Sequence, residues 1–284
     1  MTPVPYALEA SEPFIRLVLF GSVLSVMAVW ETLAPRRSLA IGRSVRWPNN
    51  LGLVAVNTAL VRLLVPTAAI GLALVAEAEG WGLLNRVVAP FPARVAVSVI
   101  LLDLAIYLQH VLFHAVPGLW RLHRMHHADL DFDVTTGVRF PLIEILLSMG
   151  IKLAIVAALG PPAVAVLIFD VALNVTSLFN HGNVRIPTPW DRVLRWFVVT
   201  PDMHRVHHSV QAEETNSNFG FTLPWWDRML GTYRAQPEAG HRDMTIGIEQ
   251  FRAAADLRLD RMLLQPLVGP TIRYPINRRV EQSR

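Results

Sequence analysis

The chain has 284 residues, of which 52% are hydrophobic and 17% are charged, and its mean hydropathy is +0.37. This composition excludes an ordinary soluble domain and indicates an integral membrane protein. The formal net charge of +4 fits loops that lie against anionic lipid. Because the sequence has no nucleic-acid-binding motif, we expect no nucleic-acid partner. With no cysteine, the chain has neither a disulfide framework nor thiolate ligands.

Four apolar stretches are candidate membrane spans, because a spanning helix needs about 20 apolar residues. They are Pro13 to Leu33, Leu51 to Val75, Ala93 to Phe113 and Leu142 to Leu178. The last stretch can cross twice if it folds back at Gly160-Pro161-Pro162, or it can form a re-entrant hairpin of two shorter segments. We therefore expect an all-α, multi-pass membrane bundle with four or five membrane helices.

The arginines between the first two spans predict the orientation of the bundle. Arg36, Arg37, Arg43 and Arg46 crowd this connection, whereas the next connection, around Glu77, is net acidic. The positive-inside rule places the arginine-rich connection in the cytoplasm. Following the spans from that point, we expect a helical cap on the cytoplasmic face that carries the histidine clusters of the chain.

The chain divides into three consecutive regions, without a long linker, a repeat or a low-complexity run. We predict N-terminal membrane helices in residues 1–92, a histidine-rich domain in residues 93–235, and a C-terminal cytoplasmic segment in residues 236–284. Within the last region, Gly247 to Leu263 carries apolar residues on roughly one helical stripe. This pattern predicts an amphipathic helix that lies on the membrane or on the protein core.

Nine of the ten histidines fall in three tight clusters and one single position, each at the end of an apolar stretch. They are His110, His114, His123, His126, His127, His181, His204, His207 and His208. The tenth, His241, lies apart from them. One histidine pair could simply face lipid headgroups, and His181 could form a hydrogen bond at a helix end. The chain, however, has two separate His-x-x-His-His elements in addition to that pair, and together they predict a metal site.

The spacing within the clusters indicates which rings can share an ion. Residues four apart on a helix are about 40° apart around its axis, so His110 and His114 project to one side of their span. In each His-x-x-His-His element, the two adjacent rings diverge by about 100° and can serve different ions. Nine imidazoles would more than saturate one ion, so the count favours a dinuclear centre of zinc, copper, iron or nickel.

Polar residues in the spans and the cap are candidate hydrogen-bond partners of the ligands, because ionisable groups in a membrane usually face the bundle interior. The candidates are Asp103, Asp170, Asn174 and Asn218. Asp103 lies two turns before His110, and Asp170 and Asn174 share a helical face with His181. Each could fix the orientation of a ligating imidazole. The alternative is hydrogen bonding between helices without a catalytic consequence.

Further motifs accompany the histidine clusters. They are Asp103, Tyr107 and His110; Pro117-Gly118-Leu119-Trp120-Arg121-Leu122-His123; Asn180-His181-Gly182-Asn183; Thr200-Pro201-Asp202-Met203-His204; Asn218-Phe219-Gly220; and Trp226-Asp227 to Gly231-Thr232-Tyr233. In order and spacing, these motifs and the clusters resemble the fatty acid hydroxylase and sterol desaturase superfamily of integral-membrane di-iron oxygenases. The resemblance covers about residues 95 to 235. One departure is Arg139-Phe140-Pro141, where related sequences often have Arg-Phe-His-Pro, so a possible further histidine is absent.

The resemblance implies that residues 93–235 form a catalytic domain whose nine clustered histidines bind two iron ions. It implies no catalytic residue beyond the metal ligands. The enzyme would use O2 and two electrons to hydroxylate or desaturate a lipid. Because the sequence has no His-Pro-Gly-Gly haem motif and no dinucleotide fingerprint, the electrons must come from a separate partner, such as cytochrome b5 or a ferredoxin. Sterols, fatty acyl chains, ether lipids and carotenoids all remain open as substrates.

Two other classes of function are open on the residues alone. A zinc-dependent membrane hydrolase would use imidazole ligands to activate water, but the chain lacks a convincing general base such as the glutamate of His-Glu-x-x-His. A non-enzymatic metal or haem carrier would need histidines on facing spans or polar residues throughout the membrane depth, whereas most histidines here lie beyond the spans. Metal identity and O2 consumption distinguish the three classes.

Overall fold

The computed structural model describes residues 4–64, 69–270 and 274–276. Over these ranges the chain is helical, with two isolated β-bridges and no strand, which confirms the predicted all-α class. The longer helices are α1 (Val4–Leu33), α2 (Arg43–Leu64), α3 (Ala69–Ala78), α4 (Phe91–Ala115), α5 (Pro117–His127), α6 (Leu142–Leu159) and α7 (Ala163–Asn180). The short helices of the cap are α8 (Thr188–Leu194), α9 (Pro201–His207), α10 (Ala212–Thr215), α11 (Trp225–Met229), α12 (Gly240–Asp243) and α13 (Leu259–Leu264). Single 3₁₀ helices lie at Leu83–Asn85, Val134–Val138 and Ala254–Leu257.

Within the described ranges, five segments are long and apolar enough to cross a membrane. They are Phe14–Leu33, Arg43–Asn85, Phe91–Ala115, Leu142–Leu159 and Ala163–Asn180. The second runs through α2 and α3 and over residues 65–68, which lie outside the described ranges. The apolar stretch 142–178 forms two helices of 18 residues each. Each is about 27 Å long, which is close to the thickness of a hydrocarbon core. The structure therefore has five candidate membrane helices, the higher of the two predicted numbers.

The turn between α6 and α7 packs on the connection between α3 and α4. Gly160 has a left-handed φ of 60°, and Pro161-Pro162 follows it before α7 begins. A Cβ atom on Gly160 would lie 2.2 Å from the carbonyl oxygen of Trp81, so only glycine allows this close approach. The hairpin therefore folds back where the sequence predicted.

At the other end of the bundle, the connection between α1 and α2 meets the segment that follows α7. The backbone N–H of Arg36 donates to the carbonyl oxygen of Asn183 at 3.0 Å, and that of Arg185 donates to Ala34 at 2.8 Å. The side chain of Arg36 also pairs with Asp202 of the cap at 2.9 Å. The arginine-rich connection and the histidine-bearing cap thus share one end of the bundle, as the threading of the spans predicted.

Small apolar residues let the central helices pack closely. The main buried cluster consists of Ala69, Ile70, Ala73, Leu102, Val156, Ala163, Val166 and Phe169, from α3, α4, α6 and α7. Nearby, Asp170 of α7 lies 3.0 Å from Nζ of Lys152 on α6 and also pairs with Arg16 of α1. Because a lone charge is costly in lipid, this ion cluster fixes three helices relative to one another.

The prediction of one amphipathic helix from Gly247 to Leu263 is wrong. The segment contains the 3₁₀ turn at Ala254–Leu257 and then α13, with non-helical backbone before them. Gly247 and Phe251 have positive φ angles of 104° and 58°, which interrupt a helix. The apolar stripe is nevertheless buried against the core, at Ile248, Leu257 and Met262.

Candidate metal centre

The structure brings the nine clustered histidines together at one end of the bundle, in two groups. The first group is His110, His114, His123, His127 and His207, and the second is His126, His181, His204 and His208. Within each group, one ring nitrogen from every histidine lies within 4.8 Å of those of the others, and all nine residues are buried. His241 belongs to neither group.

Helix ends bring these histidines together from distant parts of the chain. α4 ends one residue after His114, and α7 ends directly before His181. α9 begins at Pro201, and the side chain of the preceding Thr200 accepts a hydrogen bond from the backbone N–H of Met203. Proline suits the first helical position because an N–H group at that position would have no acceptor within the helix. The Thr200-Pro201 pair therefore sets the start of the helix that carries the last cluster.

The adjacent histidines of each His-x-x-His-His element point into different groups. The ring centroids of His126 and His127 are 5.3 Å apart with an interplanar angle of 86°, and those of His207 and His208 are 5.5 Å apart at 79°. Successive residues on a helix point about 100° apart, so each doublet lies across the two groups. The side-chain directions match those expected from the spacing.

Hydrogen bonds fix which nitrogen of His110 and His207 carries the proton. Nδ1 of His110 donates to the carbonyl oxygen of Phe219 at 2.7 Å, and Nδ1 of His207 donates to that of Ser217 at 2.7 Å. A carbonyl oxygen only accepts, so the Nε2 atom of each neutral ring carries a lone pair. These two Nε2 atoms lie 3.1 Å apart. Two acceptors at this distance repel each other unless a cation lies beside both.

The second group has the same arrangement around His181. Its Nδ1 donates to the carbonyl oxygen of Ser177 at 2.8 Å, which leaves a lone pair on Nε2. That Nε2 lies 3.2 Å from Nε2 of His126 and 3.2 Å from Nε2 of His204. Neither ring nitrogen of His208 has a hydrogen-bond partner within the described part of the chain. Nitrogen lone pairs therefore converge in this group too.

Burial keeps the imidazoles in the neutral form that binds metal. It lowers the pKa of His123 and of His181 to about 3, and it lowers the pKa of His207 and of His208 well below the ordinary value. Protonation near neutral pH therefore does not relieve the repulsion between the facing nitrogens. A metal ion in each group would relieve it, because neutral imidazole is a good ligand for several transition metals. The residues present thus fit a metal centre.

Two polar partners of the histidines were missed from the sequence. Oε1 of Glu144 accepts a hydrogen bond from Nδ1 of His123 at 2.7 Å, and Oδ1 of Asn216 accepts one from Nδ1 of His114 at 3.1 Å. Such partners orient a ligating ring and increase its basicity. Glu144 does carry a signal, because it is a carboxylate in the first turn of an apolar span. Asn216 resembles any other polar residue of the cap, so its sequence context gives no signal.

Asp170 and Asn174 do not support the histidines. The carboxylate of Asp170 is held by Lys152 and Arg16, and the side chain of Asn174 donates to the backbone carbonyl of Asp170 at 2.7 Å. The prediction that these residues orient His181 is wrong. Opposite charges on neighbouring helices satisfy Asp170, and helical periodicity along α7 does not reveal those charges. Asp170 therefore pairs with charges on neighbouring helices, which is the alternative that the sequence left open, whereas the hydrogen bond of Asn174 lies within α7.

Asp103 and Asn218 shape the backbone around the site. Asp103 accepts a hydrogen bond from Nε1 of Trp226 at 2.8 Å and so holds the cap against α4. The side chain of Asn218 donates to the carbonyl oxygen of Met203 at 2.9 Å, next to His204 in sequence. Within the described ranges, neither side chain forms a hydrogen bond to a histidine ring. Asn218 therefore contacts the backbone next to His204, whereas Asp103 holds the cap against α4.

A buried ion-pair network supports the loop after α5. Arg46 of α2 lies between Asp129 and Asp133, at N···O distances of 2.7 and 2.5 Å, and Arg139 lies 3.8 Å from Asp129. Burial alone would raise the pKa of Asp129, but the two guanidinium groups lower it well below its ordinary value. The charged carboxylate therefore ties the loop that follows the histidine-bearing α5 to α2.

Aromatic rings pack around the histidines and exclude water. Phe140 stacks on His126 with ring centroids 4.3 Å apart and an interplanar angle of 12°. Phe219 meets the ring of His110 edge-on at 5.5 Å. Pro141, at the position where a further histidine is absent, is the residue directly before α6, and both groups form without a ligand from it.

Two groups of buried, converging imidazoles at one end of a helical membrane bundle define a membrane protein with a histidine-rich site that can bind metal. Residues 95–232, which hold all nine clustered histidines, match the model of the fatty acid hydroxylase family. The resemblance inferred from the histidine clusters is therefore confirmed.

Curated relatives in this family act on lipids, by their names. The chain is 30% identical over 158 residues to the ornithine lipid hydroxylase OlsE of Rhizobium tropici, covering 55% of this chain and 46% of the relative. It is 29% identical to the alkylglycerol monooxygenase of Xenopus tropicalis, covering 52% and 32% of the two chains. It is 27% identical to the cholesterol 25-hydroxylase of Rattus norvegicus, covering 52% and 49%. The chain thus spans about half or less of each relative, and no solved structure matches it.

Proposed function

We propose that this chain is a membrane-bound di-iron oxygenase that hydroxylates a lipid. The observation that carries the proposal is the pair of facing Nε2 atoms of His110 and His207, which are 3.1 Å apart while each Nδ1 donates to a backbone carbonyl. The same pattern recurs around His181 in the second group. Two such groups, with five and four imidazoles, suit two metal ions.

Bound iron would supply the activation of O2, so that O2 with two electrons and two protons could oxidise an unactivated C–H bond, with one oxygen atom entering the lipid and the other leaving as water; this reaction is beyond side-chain acids and bases. The protein's own residues have more limited tasks. The nine histidines hold the metal, while Glu144 and Asn216 fix two of the rings through their Nδ1 atoms. Phe140 and Phe219 keep water away from the rings.

The names of the relatives support hydroxylation of a lipid over desaturation. One relative is named a hydroxylase of ornithine lipid, another a monooxygenase of alkylglycerol, and a third a hydroxylase of cholesterol. These names share the insertion of oxygen and differ in the lipid. The substrate that we propose is accordingly a membrane lipid that reaches the site from the bilayer.

We also propose that the metal centre lies on the cytoplasmic face and receives electrons from a separate protein, such as a cytochrome b5 or a ferredoxin. Arg36, Arg37, Arg43 and Arg46 support this orientation, because they lie at the same end of the bundle as the histidines. The sequence motifs that would bind a haem or a dinucleotide within this chain are lacking.

The experiment compares lipid extracts of cells that express the chain under isotopically labelled O2. We expect one or more lipids to gain a labelled oxygen atom. His207→Gln should abolish this product, whereas His241→Gln should retain it, because His241 is buried but lies outside both groups. A product that has lost two hydrogens would overturn hydroxylation in favour of desaturation. An unchanged lipid profile with the wild-type chain, in cells that supply both candidate donors, would overturn the oxygenase.

A further inference from the structure

Seven apolar side chains form an exposed surface on the cap, outside the five spans. They are Trp190, Val193, Trp196, Phe197, Trp225, Met229 and Leu230, here called the cap patch. Trp190, Phe197 and Met229 are 67%, 65% and 72% exposed. Isolated exposed apolar residues are ordinary, but a group of large ones marks an interaction surface.

The cap patch is one connected surface, although its residues come from two segments of the chain. Nε1 of Trp225 donates to the carbonyl oxygen of Trp196 at 2.8 Å. The guanidinium of Arg228 lies 4.2 Å from the ring centroid of Trp196 and donates to the carbonyl oxygen of Arg195 at 3.1 Å. These contacts hold α11 against the chain that follows α8, so the patch has a fixed shape.

Contacts with α4 place α11 at the depth of the acyl chains. Trp226 donates to Asp103 at 2.8 Å and lies in one apolar cluster with Ile100. Asp103 lies near the middle of α4. It is nine residues, or about 14 Å along the helix axis, after Arg94 in the first turn, and twelve residues, or about 18 Å, before the last residue, Ala115. The hydrocarbon core is about 30 Å thick, so a residue packed against the middle of a spanning helix lies within that core. The neighbouring residues of the cap patch are therefore at membrane depth or close to it.

Backbone groups at this depth must find their hydrogen bonds within the protein. The carboxylate of Asp227 accepts hydrogen bonds from the backbone N–H groups of Phe219 at 2.8 Å and Gly220 at 2.9 Å. The N–H of Leu230 donates to the carbonyl oxygen of Trp226 at 2.8 Å. These three backbone groups in and beside α11 are thus satisfied within the protein.

The charges around the cap patch suit the headgroup region. Arg185, before α8, and Arg192, on α8, are exposed, whereas Asp191 is buried and forms an ion pair with Arg195 at 2.7 Å. Arginine and tryptophan are the residues expected where a protein meets anionic headgroups. On α4, Leu108 is also exposed, one turn after Leu104, which packs in the apolar cluster that contains Trp226.

We propose that the cap patch is seated in the bilayer leaflet, with its apolar side chains among acyl chains and its flanking arginines at anionic headgroups. Lipid is the occupant because the patch is carried by elements that pack against the middle of a spanning helix and because it has a basic rim. The cap would then be anchored in the membrane at a second place, apart from the five spans. This anchoring does not depend on the metal or on the reaction.

The experiment uses the absence of native cysteine, so that each introduced cysteine carries the only spin label. Met229→Cys and Phe197→Cys place labels on the cap patch, and Glu213→Cys places one on an exposed acidic position of α10. The full chain is reconstituted in vesicles of phosphatidylcholine with phosphatidylglycerol. Accessibility of each label to O2, which partitions into lipid, is compared with accessibility to a water-soluble nickel chelate.

The labels at positions 229 and 197 should be more accessible to O2 than to the chelate, and the label at position 213 should show the reverse. Chelate accessibility at positions 229 and 197 equal to that at 213 would overturn the proposal, because the patch would then face water. Low accessibility to both reagents, with dipolar broadening between labels, would overturn it in favour of a second copy of the chain. Each labelled chain must elute as a folded species in detergent before reconstitution.

Discussion

Glu144 should contribute measurably to the affinity of the chain for metal, because its carboxylate receives the Nδ1 proton of His123 at 2.7 Å. Glu144→Leu leaves that buried N–H without its acceptor. Loss of such a partner typically weakens metal binding 10- to 100-fold, which corresponds to about 1.4 to 2.8 kcal/mol. Glu144→Gln keeps an oxygen acceptor for the same N–H, so we expect a smaller loss of metal affinity than with Glu144→Leu.

The assay measures iron retention against a chelator of known affinity, with the purified chain in detergent micelles. Ser148→Ala is the matched control, because Ser148 lies one turn further along α6 and bonds to Gln109, not to a histidine. The expected order of affinity is wild type and Ser148→Ala, then Glu144→Gln, then Glu144→Leu. If Glu144→Leu retained iron as tightly as the control, the hydrogen bond to His123 would not orient a ligand, and the reasoning would be refuted.

Three other predictions concern the two groups, the supporting network and the tenth histidine. His207→Gln and His208→Gln should each lower the iron content by about one ion per chain, because they remove donors from different groups; unchanged iron by elemental analysis in either variant would count against that division. Arg46→Met leaves Asp129 buried without its main counter-charge and should lower the free energy of unfolding by about 3 to 5 kcal/mol in a denaturant titration, whereas a change below about 1 kcal/mol would contradict the network. Burial lowers the pKa of His241 to about 3 in the folded state, against about 6.5 when unfolded, so the unfolded chain alone gains a proton as the pH falls. Stability should therefore fall by about 2 kcal/mol between pH 7 and pH 5 from this residue, and His241→Gln should remove that part of the pH dependence of thermal unfolding; an identical pH profile would refute it.

Features set by local geometry could be predicted from the sequence. The His126-His127 and His207-His208 doublets point into different groups because the angle between successive helical residues is a local property. The Gly160-Pro161-Pro162 turn divides the apolar stretch for a similar reason, since glycine allows the left-handed conformation and proline ends the helix. The location of all the histidine clusters at one end of the bundle could be predicted by counting how often the chain crosses the membrane between them.

Features set by partners on other helices could not be predicted in the same way. Asp170 shares a helical face with His181, yet Lys152 and Arg16 neutralise it, and no periodicity along α7 contains that information. The apolar stripe of residues 247–263 is buried as expected, but positive φ angles at Gly247 and Phe251 bend it around the core instead of extending a helix.

Glu144 lay between these two cases. Its carboxylate in an apolar span was visible in the sequence, but its partner, His123, is on another helix. A charged residue in a span thus indicates that a partner exists without identifying it.

The metal content of the purified chain tests the central claim most directly. Elemental analysis of the protein purified without added chelator, combined with Mössbauer spectroscopy after growth on enriched iron, measures both the number of ions and their mutual coupling. The geometry of the two histidine groups predicts about two iron ions per chain with spectra of a coupled pair. One ion per chain, two uncoupled ions, or zinc in place of iron after growth with ample iron would contradict it.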